Sequence, residues 1–198
     1  MTKNEEGIMR ASNTAQLPSN YQLDGKMDLK KDTKVNLAIQ VLFVVIAALM
    51  IGLAMLLGFP TKNNWGTGVT ILVTVAMCVV YMIVHELIHG IFLKWFSGVK
   101  PDYFLRFPFF CTGSGAYFNK HSFIIVALAP VVIWGVVLIP MLVLLPADFF
   151  LSIYIVTALN FAGAAGDYVQ VFAISKLSPA CLIQDNGKET NMFMPMSV

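Results

Sequence analysis

The chain has 198 residues, 58% of them hydrophobic and 12% charged, with a formal net charge of +2 and a mean hydropathy of +0.75. Soluble domains carry about twice that share of charge, so the composition excludes an ordinary water-soluble protein and points to an integral membrane protein built as one unit. The nearly balanced charge offers nucleic acid no basic patch and implies no acidic partner.

Residues 1–34 are polar, carry charges of both signs and contain the breakers Pro18 and Gly25. They are expected to form a weakly structured cytoplasmic arm, without the apolar stretch of a secretory signal. A membrane domain is expected over residues 35–175, followed by a cytoplasmic tail at 176–198. The first spanning helix is read from Leu37 to Phe59, with Pro60 ending it. At ~1.5 Å per residue that length crosses a ~30 Å hydrocarbon core. A short polar loop with Asn63 and Asn64 leads to a second helix from about Val69 to Phe96, where Lys94 and Trp95 suit the membrane interface.

Pro101, Pro108 and Gly113 to Gly115 break any helical reading of residues 97–122. Tyr103 to Leu105 and Ala116 to Phe118 have strand-like composition, which predicts a β-hairpin with its turn near Thr112 to Gly115. A third helix follows from Phe123 to Leu145, interrupted by Pro130 and Pro140, and a fourth from Phe149 to about Ala173. The fold class is therefore an all-α integral membrane protein: four transmembrane helices with a small β-hairpin between helices two and three. Lys26, Lys30, Lys31 and Lys34, then Lys100, Arg106 and Lys120, then Lys176 and Lys188 flank the ends on one side, against Lys62 alone on the other. The positive-inside rule then places both termini and the hairpin in the cytoplasm of a multi-pass cell-membrane protein.

The second helix carries Val84-His85-Glu86-Leu87-Ile88-His89-Gly90, an H-E-x-x-H sequence. His85 and His89 share one helical face and can grip one metal ion, with Glu86 placed to take a proton from water. Two histidines and a carboxylate are costly in a membrane-length apolar segment and mark a functional site. A catalytic zinc takes three protein ligands and leaves one position open. Asp167 is the only acid after Glu86 that falls inside a spanning segment; Asp102, Asp148, Asp185 and Glu189 belong to loops or the tail. Helices two and four run in the same direction, and counting from Val69 and Phe149 puts His85 and Asp167 within about 3 Å of the same depth. Asp167 is the expected third ligand.

Asn160, two turns before Asp167 on the same face, suits either a hydrogen bond to a substrate carbonyl or a tie between helices. Gly90, Gly163 and Gly166 read as close-packing positions, Tyr81 as packing, and His121 as an interfacial histidine with a second reading as an oxyanion donor. Cys78, Cys111 and Cys181 are too few and too scattered for a disulfide framework or a C-x-x-C zinc site and read as reduced thiols.

The run His85 to Gly90, then Ala127-Leu128-Ala129-Pro130, then Asn160 through Asp167, resembles the zincin peptidases of prokaryotic membranes, a family similar to the site-2 proteases. The resemblance covers roughly residues 65–175 and implies cleavage of membrane-embedded or membrane-adjacent protein segments, with zinc held by two histidines and a distant aspartate. This chain has Ala165-Gly166-Asp167-Tyr168 where site-2 proteases usually carry Leu-Asp-Gly, and Ala129 where they tend to have glycine.

Together these readings predict a zinc metallopeptidase that binds one Zn2+ per chain through His85, His89 and Asp167. Glu86 acts as base, the hairpin serves as an edge for an extended substrate, and the partners are the lipid bilayer and a membrane-protein or peptide substrate. Two rival classes share the same residues: a non-catalytic zinc sensor or assembly factor, and an ion transporter lined by buried His and Asp.

Overall fold

The computed structural model describes residues 2–3, 9–60, 64–106 and 109–196. Lys62, Asn63 and Pro108, used above for the outer loop and the hairpin, lie outside that set, as do Met1 and residues 4–8 of the arm. Two short strands, β1 (Thr2–Lys3) and β2 (Met9–Arg10), pair antiparallel ahead of a longer one, β3 (Tyr21–Met27).

The first spanning helix, α1 (Thr33–Leu56), begins earlier than its apolar run suggests. The Asp32 carboxylate accepts hydrogen bonds from the Lys34 and Val35 amides and caps the helix upstream of its hydrophobic part. The second, α2 (Thr67–Ser97), ends at Gly98, whose φ of +71 lets its amide turn back to the Lys94 carbonyl. Next come β4 (Asp102–Arg106) and β5 (Phe109–Gly113), then β6 (Phe118–Asn119) and the third spanning helix, α3 (Lys120–Leu144). The Asn119 side chain caps α3 by accepting from the Ser122 amide. This helix runs unbroken through Pro130 and Pro140. The fourth span opens with a 3-10 turn at Ala147–Phe149 and is divided into α4 (Phe150–Gly163) and α5 (Ala165–Ser175). Glycine at 163 sits at the division, where a helix is weakest by about 1 kcal/mol relative to alanine. Strands β7 (Leu182–Asp185) and β8 (Thr190–Pro195) end the described chain.

Four helices are long and apolar enough to cross a membrane, spanning Thr33–Leu56, Thr67–Ser97, Lys120–Leu144 and Ala147–Ser175. Tyr81, Leu138, Ile153 and Val156 form the core between α2, α3 and α4. No residue of α1 is fully buried; it packs on α4 and α5.

Strand content exceeds the single hairpin expected of an all-α protein. A four-stranded antiparallel sheet in the order β3-β8-β7-β6 joins the arm, the tail and the entry to α3 at one end of the helices. The arm is therefore structured over Tyr21–Met27: Tyr21 is buried and its hydroxyl donates to the Ala180 carbonyl at 3.0 Å. Asn13 ties the arm to the helices, donating to the Phe96 carbonyl and the Ser122 hydroxyl while accepting from the Asn119 amide.

The hairpin is real but shifted. Tyr103 faces Thr112 and Asp102 faces Gly113, so Thr112 and Gly113 are ladder residues and not the turn. Residues 116–118 leave the hairpin altogether: Tyr117 bridges Thr14, and Phe118 pairs with Ile183. Gly113 is placed by packing, because a Cβ there would collide with the backbone of Asn186.

Candidate metal centre and active site

Helical spacing brings His85 and His89 to one face of α2, with ring centroids 4.9 Å apart. Asp167, in the first turn of α5, meets them from the opposite side. Its Oδ2 is 3.5 Å from His85 Nε2 and its Oδ1 is 3.7 Å from His89 Nε2. One ligand atom from each of the three residues falls within 4.8 Å of the others.

The protonation of both rings follows from their other nitrogens. His89 Nδ1 lies 3.0 Å from the Val126 carbonyl, which only accepts, so Nδ1 carries the proton. That carbonyl is available because the residue four further on is Pro130, which has no amide to close the helical bond.

His85 is set by a longer relay. The Val131 carbonyl accepts from Asn160 Nδ2 at 3.1 Å, which turns Asn160 Oδ1 toward the Tyr81 hydroxyl, 3.3 Å away. Tyr81 donates there, and its oxygen then accepts from His85 Nδ1 at 3.1 Å. In its neutral form each histidine thus turns an Nε2 lone pair toward the Asp167 carboxylate. With the rings neutral, three electron-pair donors converge on one point, an arrangement that a cation at its centre would stabilise. Tetrahedral zinc ligands at ~2.0–2.2 Å stand about 3.3–3.6 Å apart, so the three side chains would need to draw in to hold the ion. The hydrogen bonds behind the rings are those expected of metal-binding histidines.

The three residues and Glu86 line a cavity of about 510 Å³. Its walls include Phe110, Cys111 and Thr112 of β5, Asp185 of β7, the turn Gly187–Thr190, and Asn36 and Gln40 of α1. The Thr112 hydroxyl donates to the Glu86 carbonyl at 3.0 Å and fastens the hairpin to the motif helix. Gly90 serves the same contact, because a side chain there would run into the Tyr103 ring. On the tail side, Asp185 accepts from Gln170, Thr190 and the Gly187 amide. Burial pushes its carboxyl above the usual aspartate range, against the opposing pull of those donors.

His85, Glu86, His89 and Asp167 are brought together as their spacing and depth suggested. Asn160 is not offered to the cavity: it is fully buried and committed at both ends to Val131 and Tyr81, which makes it a relay between helices. Tyr81, expected to pack, is the hydrogen-bond partner of His85, and its position one turn before the histidine was the available signal. Gln170 was missed, although it stands one turn after Asp167. His121 is exposed in the first turn of α3 and does not line the cavity. Asp148 accepts from Asn64 at the other end of the helices. All three cysteines are free, and burial pushes the Cys181 thiol up.

Residues 78–182, more than half of the chain, match the family described as "Putative zincin peptidase". The chain belongs to that family. The matched stretch begins within α2 and ends at the start of β7, so it holds all four residues of the site and excludes α1. No curated protein and no solved structure matches the chain.

Proposed function

We propose that this protein is an intramembrane or membrane-proximal zinc peptidase, similar to the site-2 proteases, with His85, His89 and Asp167 as zinc ligands and Glu86 as general base. The observation that carries the reading is the meeting of two histidine Nε2 atoms and a carboxylate beside a cavity that also holds Glu86. Zinc held there supplies Lewis acidity, making water easier to deprotonate and polarising a peptide carbonyl. Glu86 accepts the proton from the attacking water and returns it to the leaving amine nitrogen. Tyr81 and the Val126 carbonyl hold the two imidazoles in the tautomer that keeps Nε2 unprotonated.

The substrate on this reading is a membrane-protein or peptide segment in extended form. A helical peptide bond is shielded from attack, and β5 places backbone beside the cavity for strand pairing. The protein resides in the cell membrane with both termini cytoplasmic; the distribution of lysines at the helix ends supports that orientation.

The test compares membrane-protein fragments in host cells carrying the parent protein or Glu86→Gln, alongside the zinc content of both purified proteins. Fragments that depend on Glu86, with near-stoichiometric zinc in each protein, support the reading. Cleavage that survives Glu86→Gln sinks Glu86 as base, and zinc without any cleavage by the parent favours a sensor or assembly role.

A further inference from the structure

Among the residues of α1 that line the cavity, Asn36 and Gln40 are the polar uncharged pair, one turn apart on the same face. Their hydrogen bonds form a directed chain. The Leu29 carbonyl accepts from Asn36 Nδ2 at 3.2 Å, so Asn36 Oδ1 faces onward and accepts from Gln40 Nε2 at 2.6 Å. That orders the Gln40 amide and leaves its Oε1 and its second N–H without a partner among the described residues. A peptide group needs one acceptor for its N–H and one donor for its C=O, and this amide end provides both.

Depth places Gln40 opposite the metal ligands. It lies seven residues inside α1 from Thr33, and His89 lies eight inside α2 from Ser97, which is about 10–12 Å from the same end of the helices in each case. The cavity lies between the two helices, with Gln40 on one wall and His85, Glu86 and His89 on the other.

We infer that Gln40 is a substrate-binding residue that hydrogen-bonds the backbone of an unwound peptide segment lying between α1 and the metal site. The inference rests on the peptidase reading, and its physical basis is specific. To expose a peptide bond at membrane depth, a substrate helix must open, and each backbone group it frees costs several kcal/mol in hydrocarbon unless it finds a new partner. A strand edge on β5 can serve one side of an extended segment; Gln40 serves the side that faces α1. α1 lies outside the stretch that matches the family.

The experiment uses the full chain, zinc-loaded and carrying Glu86→Gln, so that binding is read without turnover. The probes are two fluorescein-labelled synthetic spanning peptides in detergent micelles. One has a Gly-Pro pair near its cytoplasmic end; the other is a continuous leucine-rich helix. Adding Gln40→Leu should weaken binding of the Gly-Pro peptide about 3–10-fold, the worth of one or two hydrogen bonds, and leave the continuous helix, the zinc content and the thermal midpoint unchanged. Equal affinity for the Gly-Pro peptide with and without Gln40 overturns the inference. So does an equal loss for both peptides, or failure of the Glu86→Gln protein to hold the Gly-Pro peptide at all. The peptidase reading fails separately, by the cleavage comparison above.

Discussion

Replacing Tyr81 with phenylalanine tests whether the relay behind His85 sets zinc affinity. The ring is kept, along with its contacts to His85 and Trp134 at centroid distances of 5.6 and 5.5 Å. Only the hydroxyl is lost, and with it the bonds of 3.1 Å to His85 Nδ1 and 3.3 Å to Asn160 Oδ1. Each buried group left unpaired costs about 1–3 kcal/mol. The two costs fall in different places. Asn160 is unpaired with or without metal, so its share lowers fold stability alone. His85 escapes in the metal-free protein by moving its proton to Nε2, 3.5 Å from Asp167. With zinc bound, the proton must return to Nδ1, where Tyr81→Phe leaves no acceptor. The His85 share therefore enters the zinc dissociation constant, which should rise about 10–100-fold. Competition against a calibrated chelator in detergent measures it. A dissociation constant within twofold of the parent, with a lowered thermal midpoint, would refute the relay as a determinant of affinity and leave it a helix tie.

Pro130→Ala returns an amide proton that competes with His89 for the Val126 carbonyl; zinc binding should weaken by up to about tenfold, and an unchanged chelator titration would count against the proline's part in placing His89. In Gly113→Ala the new methyl meets the Asn186 backbone, which cannot swing away as a side chain does. A loss of about 1–3 kcal/mol is expected, with faster proteolysis of the hairpin, and a parental thermal midpoint would contradict the packing account. Burial raises the folded pKa of Asp185, so its contribution to stability is full below about pH 4 and is lost as pH rises through the folded value. In chelator-treated protein, the thermal midpoint of the parent minus that of Asp185→Asn should therefore fall as pH rises above about 4; a flat or rising difference would reverse the sign of the argument.

The helices and the cluster of His85, Glu86, His89 and Asp167 were legible because most of their signals are local. Runs of apolar residues of membrane length stand out against any loop, and His85, Glu86 and His89 fall within one turn of one helix. Asp167 was reached by depth, an argument that works because both helices cross the same slab. The sheet was not legible. Tyr21–Met27 is polar in composition and pairs with Thr190–Pro195 at the far end of the chain, so no window of sequence contains both partners. The hairpin register failed for a related reason: Thr112 to Gly115 has the composition of a turn, but Gly113 is small because the β7–β8 turn presses on it. Asn160 had two readings, of which the structure shows the tie between helices, and Tyr81 packs as expected but also bonds His85; only the carbonyl geometry of α3 reveals which way these hydrogen bonds run.

The pairing of β3 with β8 has a temporal side. Tyr21 emerges from the ribosome long before its partner Pro195, and at ~5–20 residues per second the wait is on the order of 10–30 s. During that interval α1 is already long enough to enter a bilayer, yet the sheet that anchors its approach segment cannot close, and the turn Gly187–Thr190 that walls the cavity does not yet exist. A nascent chain therefore carries the histidines without their finished enclosure, and the sheet closes only after β8 has been made. The cavity wall is therefore complete only once β8 has been made.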